Sequence, residues 1–172
     1  MTADRKKWVT IGGVIVFVTA LAMTYFSLSQ QTPKVAPNVQ LSLLDGSKPM
    51  LSTYQGKTVL GVFWSVSCAV CAEEIPHLNA LYKQRDRYNL EIIGFDMPYD
   101  RPDWTVSFVK KRAMQYPVSF DLRGEIARGF GGVQATPTVV LIDKHGRIIW
   151  KHVGRTDFDK LKHQLEELNK EA

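Results

Sequence analysis

Cys68 and Cys71 are the only cysteines in the 172-residue chain, and they close the stretch WSVSCAVC, Trp64 to Cys71. A pair with this spacing can exchange electrons as a dithiol, grip a metal, or act as a structural staple. A staple this short restricts the unfolded chain little, because the entropy it removes grows with the loop it closes. The chain is also long and apolar enough to bury a core without one. A structural zinc site needs about four ligands. No second CxxC and no HxxxH pair is present, and His77, His145, His152 and His163 are scattered. Redox exchange is therefore the leading reading of the pair.

The dithiol needs elements that hold it. Thr58 to Trp64, TVLGVFW, is a continuous apolar run suited to a buried strand. After it, Ile75, Leu78, Leu81 and Tyr82 recur at helical spacing. Cys68 thus opens a helix. A thiolate there meets unpaired backbone N–H groups and the positive end of the helix dipole. Both stabilise the anion, which is the attacking form. Cys71, one turn on, is placed to resolve a mixed disulfide.

Further along, LEIIGF (Leu90 to Phe95) predicts a strand, and Asp103 is expected to cap a helix reaching Met114, with Trp104, Phe108 and Val109 in the core. Val118 to Phe120 reads as a short strand and Gly124 to Phe130 as a short helix closed by Gly131-Gly132. Thr138 to Ile142 and Arg147 to Val153 flank the turn Asp143 to Gly146. The last helix opens at Thr156-Asp157-Phe158-Asp159, like a capping box, with Phe158, Leu161, Leu165 and Leu168 as its apolar stripe. Earlier, Val39 to Ser52 carries a hairpin signal at Asp45-Gly46. The whole predicts an α/β layout with a mixed sheet, and a CxxC near such a pattern points to thioredoxin-like redox chemistry. Pro76 should kink the first helix, and Pro137, in Ala135-Thr136-Pro137-Thr138, sits where a cis bond is tolerated.

The start of the chain has its own character. Residues 1–7 end in Arg5-Lys6-Lys7, and residues 8–26, WVTIGGVIVFVTALAMTYF, carry no charge. A run of this length can just span a bilayer as a helix, with Trp8 and Tyr25 at the interfaces and the positive end inside. The expected order is a cytoplasmic tail 1–7, a transmembrane anchor 8–26, a linker 27–37 and a domain 38–172. Ala20-Leu21-Ala22 offers the alternative of a cleaved signal, although Tyr25 and Phe26 continue the apolar run beyond it. Either way the domain is expected outside the cytoplasm, where disulfides persist. The net charge of +5 comes without a basic stripe interleaved with aromatics, so nucleic acid is not an expected partner.

These motifs together carry a family resemblance. CAVCAEEIP, ATPTVVLIDKHGRI, GEIARGFGG and the opening APNVQLSLLDGSKPMLSTYQGKTVLGVFW resemble the membrane-anchored thioredoxin-like proteins of the TlpA/ResA/CcmG group, over about Ala36 to Leu168. The resemblance implies a thioredoxin-like fold with an N-terminal hairpin extension. It implies that Cys68 attacks and Cys71 resolves, that Pro137 is cis and faces the dithiol, that Thr136 offers backbone hydrogen bonds to a partner, and that Trp64 packs beside the motif. It implies an extracytoplasmic, single-pass protein of a bacterial inner membrane that reduces disulfides of specific proteins, for example in cytochrome c maturation. A membrane electron donor would recharge it. No cofactor beyond the dithiol and no metal is expected.

The pattern is broken in places. Ser67 replaces a frequent Trp and Val70 a frequent Pro. Val62 and Ala69 occupy the two places where relatives carry a proton-transfer carboxylate. A buried resolving thiol needs a proton acceptor, and the candidates left are Asp96, Glu74 and Glu73. By sequence Asp96 reads as a solvated strand-end acid, and Glu73 and Glu74 as exposed first-turn residues that complement the helix dipole. Three alternatives remain at this point. One is an oxidant of the same fold. Another is a peroxidase, which the absence of a Thr three residues before Cys68 disfavours. The third is a Cu(I)-binding module using both thiolates and His77.

Overall fold

The computed structural model describes residues 17–24 and 34–170. Residues 17–24 are helical, with Thr24 Oγ1 donating to the carbonyls of Ala20 and Leu21. The rest of the expected 8–26 span lies outside the described residues. Among those residues no helix is long and apolar enough to cross a membrane.

The unit that begins at Lys34 is built on one sheet. Its strands are β1 (Lys34–Val35), β2 (Thr58–Trp64), β3 (Leu90–Asp96), β4 (Val118–Phe120), β5 (Thr138–Ile142) and β6 (Arg147–Val153), in the spatial order β1-β6-β5-β2-β3-β4. β2, β3 and β4 run parallel, whereas β5 and β6 are antiparallel to their neighbours. The sheet is mixed, as expected. β1 falls inside the stretch read as linker, and it pairs with the start of β6. Four helices accompany the sheet: α1 (Ala69–Tyr82), α2 (Pro102–Lys111), α3 (Glu125–Gly129) and α4 (Phe158–Lys170).

β2 is buried at all seven positions, which is why it reads as an unbroken apolar run rather than an alternating one. Its two faces feed two cores. Leu60 and Val62 pack with Leu78 and Leu81 of α1 and with Leu161 and Leu165 of α4. Val59 and Phe63 pack with Phe95, Val140 and, beyond the sheet, Leu41, Ile126 and Phe130. Phe63 stacks on Phe95 at a tilt and meets Phe130 edge-on, at 4.9 and 5.6 Å between centroids. Such pairs add about 0.5–1.5 kcal/mol each beyond the area they bury.

Three local expectations are corrected. The 39–52 stretch folds back at Asp45-Gly46, with Leu43 N–H on Ser47 O and Leu41 N–H on Pro49 O, but it forms isolated bridges rather than two strands. Pro49 lacks a donor for a regular ladder, and Leu44 N–H instead reaches the Val118 carbonyl of β4. α2 starts at Pro102 with Arg101 as its cap, so Asp103 lies inside the first turn. This rotates Thr105 into the protein and leaves Trp104 57 % exposed, under the Arg101 guanidinium. Finally, α4 is capped by Asp157, whose Oδ1 accepts from the N–H groups of Asp159 and Lys160. Thr156 is thereby left to bind Glu74.

Gly61, in the middle of β2, marks a close approach. A Cβ there would lie 2.7 Å from the Phe95 ring and 2.9 Å from Val140 Cγ2. Both neighbours are fully buried and have little room to yield. Gly61→Ala is therefore expected to destabilise the protein by about 1–3 kcal/mol, the usual cost of overpacking, measured as a lower midpoint in urea at unchanged slope.

Candidate functional site

The site forms where β2 runs out and α1 begins. Cys68 is the N-cap of α1, in extended backbone conformation, and its Sγ accepts the N–H of Cys71 at 3.1 Å. The first-turn N–H groups of a helix lack internal partners, so the sulfur occupies a position built for an anion. α1 then continues through Pro76 to Tyr82. Cys68 and Cys71 are joined as a disulfide, with their Cα atoms 5.2 Å apart. The two sulfur-bearing residues differ in access. Cys68 is half-exposed, and Cys71 is buried against Trp64 and Val118.

Beneath Cys71 lies a small cavity of about 10 Å³, walled by Val62, Trp64, Cys71, Glu74, Ile75, Leu78, Met114, Tyr116 and Pro137. That is room for about one water molecule. The Thr136–Pro137 bond is cis, and Pro137 brings the loop before β5 to the same wall as Cys71. Ala135 and Thr136 lie outward of it, partly or fully exposed. Trp64 is buried and stacks on Phe108 of α2 at 5.3 Å.

Both candidate acids are placed differently from the expectation. Glu74 is not an exposed first-turn residue but is 2 % exposed and lines the cavity. Its Oε1 accepts the Thr156 N–H at 2.6 Å and its Oε2 the Thr156 hydroxyl at 3.1 Å. Helical spacing explains the difference. Glu74, three residues beyond Cys71, lies on the inward face with Cys71, Ile75 and Leu78. Glu73 is exposed as expected, and its ion pair with Arg155 at 2.6 Å is open to solvent on both sides. Burial of Tyr116, reinforced by the Glu74 charge, pushes that phenol upward.

Asp96 is not a solvated strand-end acid either. It is 2 % exposed at the end of β3, beside Trp64 in the register of β2 and β3. Burial pushes its carboxyl up to about 7, the Thr105 hydroxyl at 2.6 Å opposes that shift, and a hydrogen bond and like charge from Asp100 add to it. Sequence reasoning missed Asp100, which lies in a turn with no motif to mark it, and Thr156, which reads locally as a cap. His77 stacks on Phe158 at 4.9 Å, on the outer side of α1. Among the described residues no group of three or more His, Cys, Asp or Glu side chains is gathered to hold a metal.

An accessible sulfur at a helix N-terminus, backed by a buried one a turn away, can carry out thiol–disulfide exchange. The sheet that presents it has the strand order of the thioredoxin-like class, and the protein is a thiol-disulfide oxidoreductase of that class. The chain belongs to the AhpC/TSA family, whose model matches residues 33–151. It is 38 % identical over 146 residues to the thiol-disulfide oxidoreductase ResA of Bacillus cereus, covering 83 % of this chain and 80 % of that one. It is 28 % identical over 178 residues to ResA of Halalkalibacterium halodurans, covering 98 % and 99 %. In fold it resembles a thiol:disulfide interchange protein of the thioredoxin family from Chlorobium tepidum, at a TM-score of 0.71 and 22 % identity over 80 % of this chain and 97 % of that one. It also resembles StoA from Bacillus subtilis, at a TM-score of 0.65 and 19 % identity over 76 % and 98 %.

The raised Asp96 carboxyl has a signed consequence for stability. Its folded-state value of about 7 exceeds the ordinary 3.8, so the folded protein holds a proton that the unfolded chain has released. The associated stability is complete below about pH 4 and falls as pH rises to about 7, by at most about 1.4 kcal/mol per unit. Asp96→Asn is expected to gain stability relative to wild type across that window and to run parallel to it above. Urea midpoints taken from pH 4 to 8 measure this, and parallel curves throughout would contradict the assignment.

Proposed function

We propose that this chain is a membrane-tethered, extracytoplasmic reductase of disulfides in specific protein partners. The observation that carries the reading is the asymmetric pair: Cys68 half-exposed at the helix N-terminus, Cys71 buried beside Glu74 and Pro137. The charge-free run 8–26 behind Arg5-Lys6-Lys7 supports the tether and the orientation. The resemblance to the TlpA/ResA/CcmG group supports the reducing direction, with cytochrome c maturation as the process served and a membrane electron donor as the source of recharge.

In the reduced state the Cys68 thiolate attacks one sulfur of a partner disulfide and the other sulfur leaves as a thiolate. The result is a Cys68–partner mixed disulfide. The partner backbone lies along the outward Ala135-Thr136 edge, and Pro137, having no N–H, offers no donor that would compete for the sulfurs. Cys71 must then lose its proton in a buried place, where desolvation opposes the charge. Glu74 is the carboxylate on that cavity wall and accepts it. The Cys71 thiolate attacks Cys68 Sγ, and the second partner thiolate departs. The partner gains two electrons and, with solvent protons, becomes a dithiol. The enzyme ends as the Cys68–Cys71 disulfide seen in the structure, and the donor restores it with two electrons and two protons.

The deciding measurement is the reduction potential of the pair, because potential sets the direction of exchange. A value below that of its oxidising surroundings is expected, and a strongly oxidising value would make the protein an oxidant. Cys71→Ser should accumulate mixed disulfides on Cys68 that Cys68→Ser does not form, read by non-reducing electrophoresis and mass mapping. Glu74→Gln keeps the shape of the cavity but removes the acceptor. It is expected to slow resolution of the mixed disulfide by about 10²–10⁴-fold at neutral pH, the range of general-base contributions, with the attack step nearly unchanged. Equal slowing of both steps would assign Glu74 a structural role instead.

A further inference from the structure

The loop that presents Cys68 is held from one side by a single carboxylate. Asp100, itself buried, accepts the Ser65 hydroxyl on Oδ1 at 2.9 Å and the Val66 N–H on Oδ2 at 2.8 Å. Ser65 passes the constraint forward. Its hydroxyl lies 3.0 Å from that of Ser67 and 3.3 Å from the Ser67 N–H, and its carbonyl accepts the Cys68 N–H at 3.1 Å. The loop that carries Asp100 is in turn pinned to β2, with Met97 N–H on Trp64 O at 3.1 Å and Asp100 N–H on Met97 O at 3.0 Å. Two oxygens of one side chain therefore fix two successive residues of the segment that delivers the cysteine.

A second buried carboxylate, Asp96, interacts with the first through a side-chain hydrogen bond and like charge. Asp96 accepts the Thr105 hydroxyl on one oxygen, while its Oδ1 is buried and receives no donor from the described residues. The groups around it are Trp64 from β2, Phe120 from β4, Thr105 from α2 and Asp100 from the loop. Of these only Asp100 is an ionisable side chain. The Arg101 guanidinium pairs with Asp103 at the surface instead. On the same face Cys71 and, more loosely, Cys68 pack against Trp64, and they titrate when reduced. Two carboxylates in one buried site cannot both be ionised cheaply, and a proton between them relieves the conflict. Asp100 has both oxygens engaged by loop donors and Asp96 has one bare. The arrangement thus gives Asp96 the proton and Asp100 the accepting role.

We propose that Asp100 is a positioning residue for Cys68, and that a proton on Asp96 bridges the two carboxylates and keeps the Ser65–Ser67 loop in its attacking geometry. Loss of that proton sets two anions against each other and loosens the loop. The proposal rests on Cys68 being the attacking thiol. Exchange would thereby be tied to external pH near neutrality through a group that never touches the substrate.

The test uses the full-length protein in Cys71→Ser background and follows the rate of Cys68 alkylation by iodoacetamide against pH, with the modified cysteine mapped by mass. The expected profile has two inflections, that of the thiol itself and a second near 7, the Asp96 value. Asp96→Asn, whose amide still donates to Asp100, should keep the rate at pH 6 within about twofold and abolish the second inflection. Asp100→Asn, which sets an amide against the Val66 N–H, should lower the rate about tenfold and also remove that inflection. Ser65→Ala severs only half of the clamp and should give an intermediate rate should Asp100→Asn fail to fold. Infrared difference spectra at pH 6 should show a protonated carboxylic-acid band that Asp96→Asn lacks. A second inflection surviving in Asp96→Asn, or an unchanged rate in both Asp100→Asn and Ser65→Ala, would overturn the proposal while leaving the attacking thiol assigned. Failure of Cys68 to react as a thiolate below the pH of an ordinary thiol would overturn the functional reading, and this proposal with it.

Discussion

One N–H group aimed at one sulfur organises the rest of this molecule. The Cys71 amide donates to Cys68 Sγ at the first turn of α1, and a negative charge at that point is favoured by roughly 0.3–1 kcal/mol from the dipole alone, up to about 2 in partly buried settings. That is a modest sum, so it must be delivered without waste. The helix has to begin at Cys68 and nowhere else, and the strand before it has to be rigid. β2 meets this second requirement by being buried on both faces between two neighbours of opposite direction. The loop between them meets the first, through the Cys68 N–H on the Ser65 carbonyl and the Asp100 clamp behind it.

The two sulfurs inhabit different media as a consequence. Cys68 faces outward at the helix tip, whereas Cys71, one turn in, faces Trp64 and the cavity. Acids stand near each environment, although the residues two before Trp64 and one after Cys68, Val62 and Ala69, are apolar. Glu74 is instead held at the cavity wall by both donors of Thr156. Asp96 closes the end of β3 under Thr105. A carboxylate left unbonded in such surroundings would cost several kcal/mol. The bonds from Thr156 and Thr105 are therefore part of what allows acids to stand in an otherwise apolar region.

The fold was legible in the sequence wherever apolar period and length agreed. TVLGVFW, LEIIGF and TVVLI could be read as buried strands because each is short, apolar and bounded by polar turns. The cysteine pair was legible because its spacing from a strand end carries meaning by itself, whereas the places of Pro137 and Trp64 followed only from the family resemblance. The acids were not. Glu74 and Glu73 are neighbours of the same type, and only the rotation of α1 about its axis decides which is buried. Asp100 and Thr156 act on residues 34 and 82 positions away in the chain, and a contact of that range leaves no local pattern. Trp104 misled for the same reason: helix phase depends on where the helix starts, and Pro102 set that start one residue before Asp103.

The Glu74–Thr156 contact also bears on how the site comes into being as the chain is made. The dithiol leaves the ribosome long before the residues that complete its surroundings. Pro137 follows by more than sixty residues, and the two donors that seat Glu74 follow only with the segment between β6 and α4. Until α4 docks Leu161 and Leu165 on the sheet, the growing chain carries a reactive pair of thiols without the environment that gives them separate roles. The segment between β6 and α4, far along the chain from the dithiol, is therefore the piece that completes the seat of Glu74 on the cavity wall.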